Sequence, residues 1–364
     1  MALLDASVAS FVALIALLFV TSNLLGLLLS IGVSTLIGVV FHALVGKHKI
    51  PPKSKEYFFQ TNNKKENLSC PFSLCSSGAV IITGCSSGIG RTAALSLASK
   101  GIVVFAGVRK LQDTQSLQAL SPNIVPMVVD ITMADQVNQA AQFVEEQLKV
   151  RGLGLLGLVN NAGMCVVGFM ETQSLATVRE QFEVGVFGPL QMTKACLPLL
   201  RKYHVPGHRP RVVMVTSGSA LLALPVIGAY CSSKAAMESL ADSLRVELKP
   251  WDIEVVSVIP GPINTPIHET FRGDNLTTAV TSTSVEHEDP AVTSRYRTAL
   301  KKFQQMAGLV PFTFVSTDVS DAAFEACLLD RWPRAKYDVG LLSMTSVRIA
   351  RLLPSRLVDL QNSL

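Results

Sequence analysis

Tyr230 and Lys234 stand four residues apart near the start of a stretch, residues 229–248, that reads as a helix, so both side chains share one face. A free phenol has a pKa near ~10 and is a poor base at neutral pH. An ammonium beside it stabilises the phenolate, lowers that pKa and makes the tyrosine a usable proton donor or acceptor. The same ammonium can hydrogen-bond a ribose hydroxyl. Taken alone, the pair is also an ordinary surface pairing, so its chemistry depends on what surrounds it. Ser217, thirteen residues upstream, carries a hydroxyl able to polarise a carbonyl or hold an alcohol, and Ser219 is a neighbour able to substitute.

A second constellation lies earlier in the chain. Thr83-Gly84-Cys85-Ser86-Ser87-Gly88-Ile89-Gly90 follows an apolar run and opens a helical stretch. Glycine is needed where a backbone turns tightly and where a pyrophosphate must approach it. A helix that begins there offers free N–H groups and a favourable dipole to the phosphates. Gly84, Ser86, Ser87, Gly88, Ile89 and Gly90 are therefore candidate cofactor contacts. The spacing differs from G-x-G-x-x-G, with three residues between the first two glycines. At the end of the next apolar run, Phe105-Ala106-Gly107-Val108-Arg109-Lys110 contains no carboxylate. An acid there would accept hydrogen bonds from a ribose 2′-OH and repel a 2′-phosphate. Arg109 can instead grip a 2′-phosphate bidentately, with Ser87 adding a hydroxyl; Arg109 and Lys110 also read as a solvated turn. The pattern favours NADP(H), with NAD(H) still accommodated.

These residues need a scaffold, and the apolar patterning supplies one. Residues 79–83, 102–107, 124–129, 155–160, 212–216 and 254–259 read as buried parallel strands rich in Val and Ile. Helical stretches fall between them, at about 88–100, 111–120, 133–151, 174–203 and 229–248. This alternation predicts right-handed crossovers and a doubly wound α/β sheet. Asp130, after the third strand, reads as a helix cap before Met133–Arg151. Residues of about 263–315 break the rhythm, and a loop of that length after the sixth strand suits a substrate lid. Its Ile267, Phe271, Leu276, Met306 and Phe312 either line an apolar pocket or pack against the sheet.

The glycine spacing resembles that of the short-chain dehydrogenase/reductase family, and the resemblance extends over residues 78–342. It is carried by Asp130, by Asn160-Asn161-Ala162-Gly163 after the fourth strand, by Ser217, by Tyr230-x-x-x-Lys234, and by Pro260-Gly261 after the sixth strand. The resemblance implies a Rossmann-type fold binding a nicotinamide cofactor. It implies that Asp130 contacts adenine, that Asn161, Ala162 and Gly163 support the sheet and the cofactor, and that Pro260, Gly261 and Thr265 join them. Ser217 holds the family's spacing from Tyr230. Hydride would pass between nicotinamide and a carbonyl carbon, with Tyr230 exchanging the proton on oxygen and no metal required.

One position departs from the pattern. Relatives usually carry an Asn in the long fourth helix, within a water-linked proton relay to the Lys, where this chain has Gly185. Glycine inside a helix costs roughly 0.5–1 kcal/mol relative to Ala. The vacated space either holds a water or leaves the relay impaired. Around residues 181–190 and 235–262 the chain is similar to the 17β-hydroxysteroid and retinol dehydrogenase branch, which implies a lipophilic alcohol or ketone. A ketoacyl- or ketosphinganine-type lipid reductase is the close alternative. A catalytically weak, cofactor-binding membrane scaffold is the alternative from another class; Gly185 favours it, and the intact Ser217, Tyr230 and Lys234 oppose it.

The composition fits a membrane location. Of 364 residues, 49% are hydrophobic and 16% charged, which indicates a folded, partly membrane-embedded protein and not a disordered one. Residues 6–46 contain no Asp, Glu, Lys or Arg, enough for two spans or one long tilted helix. Residues 1–46 therefore form the expected transmembrane anchor, with Thr21, Ser22 and Asn23 as a candidate bend. A signal peptide fits poorly, because Asp5 precedes the run and its length far exceeds an h-region. Lys47, Lys49, Lys53 and Lys55 follow and place the downstream domain on the cytosolic face. The net charge of +5 is thus read as a membrane signature and not as nucleic-acid binding. Residues 47–77 suit a polar linker, and the endoplasmic reticulum is the expectation from the family and the anchor. Seven cysteines, an odd count, form no zinc pattern. Asn67-Leu68-Ser69 and Asn275-Leu276-Thr277 match the glycosylation pattern, which matters only in a lumenal segment. Residues 343–364 carry Arg348, Arg351 and Arg356 among apolar residues, interrupted by Pro354. They suit a membrane interface, or packing on the catalytic domain or on a second copy in a homodimer.

Overall fold

The computed structural model describes residues 78–269, 274–283, 290–308, 315–340, 347–348 and 350–352. The expected anchor at 1–46, the linker at 47–77 and the lid residues Phe271 and Phe312 lie outside these. Among the described residues no helix is long and apolar enough to cross a membrane.

Seven strands form one parallel sheet: β1 (Gly78–Thr83), β2 (Val103–Val108), β3 (Ile124–Val128), β4 (Gly154–Asn160), β5 (Arg211–Val215), β6 (Glu254–Pro260) and β7 (Lys336–Val339). Their order across the sheet is β3-β2-β1-β4-β5-β6-β7, and every neighbouring pair is parallel. The chain therefore reverses its winding between β1 and β4, and a crevice opens at the strands' C-terminal ends there. Six strands match the expected ones to within a residue. The seventh, Lys336–Val339, was not anticipated.

Alternation of side chains along each strand divides the core into two layers. Val80, Ile82, Val104, Val213 and Val256 face one way, against Ala94 and Leu97 of α1 (Gly88–Ser99) and Phe324 and Leu328 of α10 (Asp321–Leu329). Ile81, Phe105, Leu158, Val212 and Val255 face the other. There they meet Val144 of α3 (Ala134–Arg151), Met192 and Cys196 of α5 (Gly188–Lys202), and Met237 and Ala241 of α6 (Gly228–Glu247). The short α2 (Leu111–Gln118) packs beside β3.

The expected continuous helix over 174–203 is broken. It runs as α4 (Leu175–Phe182), a wider π-helical turn over Glu183–Phe187, and then α5. Ser174 starts it by accepting a hydrogen bond from Thr177 N at 3.1 Å. Pro189 has no N–H to offer the Gly185 carbonyl four residues back, and Gly188 N reaches the Glu183 carbonyl five residues back. The widened turn contains Gly185 and ends at Gly188, residues whose backbone resists least.

The segment read as a lid is held at its ends by a parallel bridge between Ile263 and Val315 and carries three helices where it is described between them: α7 (Pro266–Glu269), α8 (Asp274–Thr283) and α9 (Pro290–Gly308). Near the C-terminus, Arg348 makes a bidentate pair with Asp338 of β7 at 2.7 and 2.8 Å. At this residue the C-terminal segment packs on the catalytic domain. The unanticipated α10 closes one face of the sheet through Phe324, which is fully buried. Phe324→Ala should lower unfolding stability by about 3–5 kcal/mol in denaturant titration; a change below ~1 kcal/mol would show that α10 does not pack there.

Candidate active site

All seven strands point the same way, so the loops leaving their C-terminal ends gather on one side of the sheet. The loop after β1 is the tightest. Gly84 has φ +73°, and a Cβ there would lie 2.7 Å from Ala162 Cα. A Cβ on Gly90 would lie 2.3 Å from Asn161 Nδ2 and 2.4 Å from the Gly84 carbonyl oxygen. The loop and the segment after β4 are thus interlocked and need hydrogen at both positions. Hydrogen bonds complete the lock. Asn161 Nδ2 donates to the Thr83 and Gly84 carbonyls at 2.9 and 3.1 Å, while Asn161 N and Ala162 N donate to Thr83 Oγ1 at 3.1 and 3.0 Å. Thr83 is a site residue that sequence reasoning missed; a hydroxyl closing an otherwise apolar strand was the available signal. Asn160 serves the scaffold instead, donating to Thr193 Oγ1 of α5 at 2.9 Å.

Helix α1 begins at Gly88 with nothing neutralising it. Ser87 at its N-cap makes no capping bond through its side chain, and the first turn holds no acid. Ser86 and Ser87 are exposed beside Ile89, and Thr265 lies against Gly88, with Cγ2 3.3 Å from where a Cβ would sit. Arg109 and Lys110 are exposed where β2 ends. Asp130 is not the helix cap that its position suggested. Its Oδ1 accepts from Thr132 N and Thr132 Oγ1 at 3.0 and 2.7 Å, folding a turn, and α3 starts behind the uncapped Met133. Pro260 ends β6, and Gly261 N donates to Val339 O at 2.8 Å.

The three residues suspected of chemistry come together. Ser217 leaves β5 in an extended conformation, and its side chain stands beside the Tyr230 phenol and accepts from Ser219 N at 3.2 Å. The Ser219 side chain turns elsewhere, to the Cys231 thiol. Lys234 is buried; its Nζ donates to Val215 O at 2.9 Å and lies 5.8 Å from the Tyr230 ring centroid. Burial pulls its pKa down to about 8. The expected lowering of the phenol is not found. Burial pushes the Tyr230 phenol above the usual tyrosine range, Cys165 adds to the rise, and the Ser217 side chain offsets only part of it. At neutral pH Tyr230 is therefore protonated and set to donate.

Residues 78–276, more than half of the chain, match the family described as short chain dehydrogenase. The protein belongs to that family. It is similar to the uncharacterized oxidoreductase YbbO of Escherichia coli (strain K12), 32% identical over 281 residues, 77% of this chain and 92% of YbbO. It is 38% identical over 191 residues to human 11-beta-hydroxysteroid dehydrogenase type 2, covering 51% of this chain and 45% of that protein. Among solved structures, a short chain dehydrogenase from Burkholderia cenocepacia in complex with NADP superposes with a TM-score of 0.58. It shares 23% identity and covers 79% of this chain and 99% of its own, which shows the common fold.

As a short-chain dehydrogenase/reductase, the protein is an oxidoreductase of alcohol and ketone groups, and its loop chemistry fits a nicotinamide cofactor. The uncapped, acid-free start of α1 is free to take a pyrophosphate, and the exposed Gly163 carries no side chain over Lys234 Nζ, which lies 3.7 Å from where its Cβ would be. Gly185 does not leave a vacancy. Ser233 Oγ and Gln181 Nε2 lie 3.0 and 3.3 Å from where its Cβ would be, so a side chain there needs these neighbours to give by a few tenths of an ångström.

Lys234→Met should end turnover and raise stability, because it removes a desolvated ammonium. The wild-type pKa is lower in the folded than in the unfolded chain. Between pH 8 and roughly 10.4 the unfolded chain therefore holds the extra proton, and wild-type stability rises with pH across that window. Thermal melts should show the Lys234→Met advantage below pH 8, on the order of 1–3 kcal/mol, shrinking above it. Equal stability of the two proteins at all pH values would contradict the burial.

Proposed function

We propose that the protein is an NADP(H)-dependent reductase of a hydrophobic ketone, or dehydrogenase of the matching alcohol, of steroid, retinoid or related lipid class. We place it in the endoplasmic reticulum membrane through residues 1–46, with the catalytic domain facing the cytosol. The observation that carries the substrate class is the setting of Tyr230. The phenol borders a cluster made by Val167 and Phe169, by Val226 and Ile227, and by Leu276, Val280 and Leu300 of the lid helices. A carbonyl brought to Tyr230 enters between apolar walls. Tyr296 of α9 holds the lid to the rim, stacking on Phe169 at 4.4 Å between ring centroids and hydrogen-bonding Glu171. Leu276 is fully buried and Ile267 is exposed, so the lid residues divide between packing and surface.

The chemistry follows from the side chains. Tyr230 gives its proton to the carbonyl oxygen, and the Ser217 hydroxyl donates a hydrogen bond to the same oxygen as negative charge develops there. Lys234, held by Val215 O, keeps a positive charge near the phenol and a donor near the cofactor ribose. The bound cofactor supplies the hydride. The human relative's name specifies a hydroxysteroid, which supports a steroid-sized substrate for this site. Arg109, solvent-facing at the β2 terminus with no carboxylate beside it, supports the 2′-phosphate and hence NADP(H).

A panel of steroids, retinoids and long-chain ketones, assayed in membranes with NADPH and NADH, tests the reading. Tyr230→Phe should cut kcat by at least about 100-fold while cofactor affinity is retained. Full activity in that variant, or no turnover across the panel by the wild type, would overturn the proposal. For the cofactor, Arg109→Ala should weaken NADPH by about tenfold, the loss of one charge-assisted contact, and leave NADH within about twofold. Equal effects on the two would remove the 2′-phosphate assignment.

A further inference from the structure

Gln181 is fully buried on α4, where an amide needs partners for every polar atom. It has them. Oε1 accepts from Val166 N at 3.0 Å, and Nε2 donates to Met164 O at 3.2 Å and to Ser233 Oγ at 3.1 Å. The partners fix the amide orientation, since a flipped group would set an NH₂ against the Val166 N–H. Ser233 Oγ passes the link on, donating to the Tyr230 carbonyl at 2.8 Å.

The chain of bonds has a definite geometry. Ser233 sits between Tyr230 and Lys234 on the first turns of α6, and Met164–Val166 continues the wall whose Gly163 lies nearest Lys234 Nζ. Gln181 therefore clamps that wall to the helix that carries both residues. Gly185, one turn further along, faces the same junction. A Cβ there would lie 3.0 Å from Ser233 Oγ and 3.3 Å from Gln181 Nε2, tighter than most packed contacts, so one of these side chains would have to give by a few tenths of an ångström.

We propose that Gln181 is the positioning residue for Tyr230 and Lys234, that Ser233 is its contact on the catalytic helix, and that residue 185 is glycine because this pair needs the room. The inference rests on the reductase reading for its kinetic consequences. The contacts stand without that reading. Gln181 touches neither Tyr230 nor Lys234 through its side chain. It acts by fixing the distance between the wall and the helix, and small displacements of reacting groups are costly to rate.

The test uses the full chain in membranes, NADPH and a ketone that the wild type reduces. Gln181→Met keeps the volume and removes all three bonds. It should lower kcat by about tenfold or more, with KM and NADPH affinity within about threefold. Gln181→Glu keeps an acceptor for Val166 N but donates only when protonated, so its turnover should recover at low pH and fall as pH rises, a limb absent from the wild type. Gly185→Ala should lower kcat. Amide exchange at Met164–Val166 should quicken in Gln181→Met. This last readout needs no substrate, so a wild type without turnover would count against the reductase reading while the exchange still decides the clamp. Wild-type kcat in Gln181→Met, a Gly185→Ala variant that gains activity, or unchanged exchange at Met164–Val166 would overturn the proposal.

Discussion

A buried ammonium is the constraint around which this site is arranged. Lys234 lies at the end of β5 with Val215 O as its hydrogen-bond partner, within a hydrophobic interior that disfavours its charge. Without β5 ending there, and without α6 crossing the strand ends, Nζ would have no acceptor and the burial would not be tolerated. The parallel sheet makes the arrangement available. Every strand delivers its loop to the same side, so the glycine loop of β1, the Asn161–Gly163 wall of β4 and Ser217 of β5 surround the ammonium without any long connection between them. Stability is given up at Lys234 so that a charge stands beside the phenol.

The phenol shows the other side of the same burial. Proximity to an ammonium was expected to acidify Tyr230, yet Nζ is 5.8 Å from the ring and turned toward Val215 O, while apolar lid residues close around the tyrosine. Desolvation then outweighs the neighbouring charge. A protonated phenol is the form that donates to a carbonyl oxygen. Spacing in sequence could place the two residues on one face. It could not weigh burial against charge, because part of the apolar cluster around Tyr230 comes from Val167 and Phe169 and from helices α8 and α9, all distant in sequence.

Much of the scaffold was legible because its strands are buried on both faces and so read as continuous Val- and Ile-rich runs. What escaped has physical reasons. β7 is four residues with Lys336 and Asp338 in it, an edge strand whose composition resembles a turn. α8, Asp274–Thr283, is rich in Thr, a weak helix former, and is held by the burial of Leu276 and Val280. Gln181 sits among Arg179, Glu180 and Glu183, where a polar residue reads as surface. Gly185 looked like a defect for the same reason, since the side chains that fill its space come from a different helix and from one turn upstream. The tight turn of the glycine loop was readable from its glycines, but its dependence on Thr83 and Asn161 was not.

The titration of Lys234 itself tests this account most directly. With lysine ¹³C-labelled at Cε, NMR resonances can be followed with pH and the Lys234 signal assigned by its absence in Lys234→Met. The account predicts a midpoint near pH 8 for this one lysine. A midpoint at the ordinary lysine value near ~10.4 would mean that the ammonium is solvated, and that the site is not built on its burial.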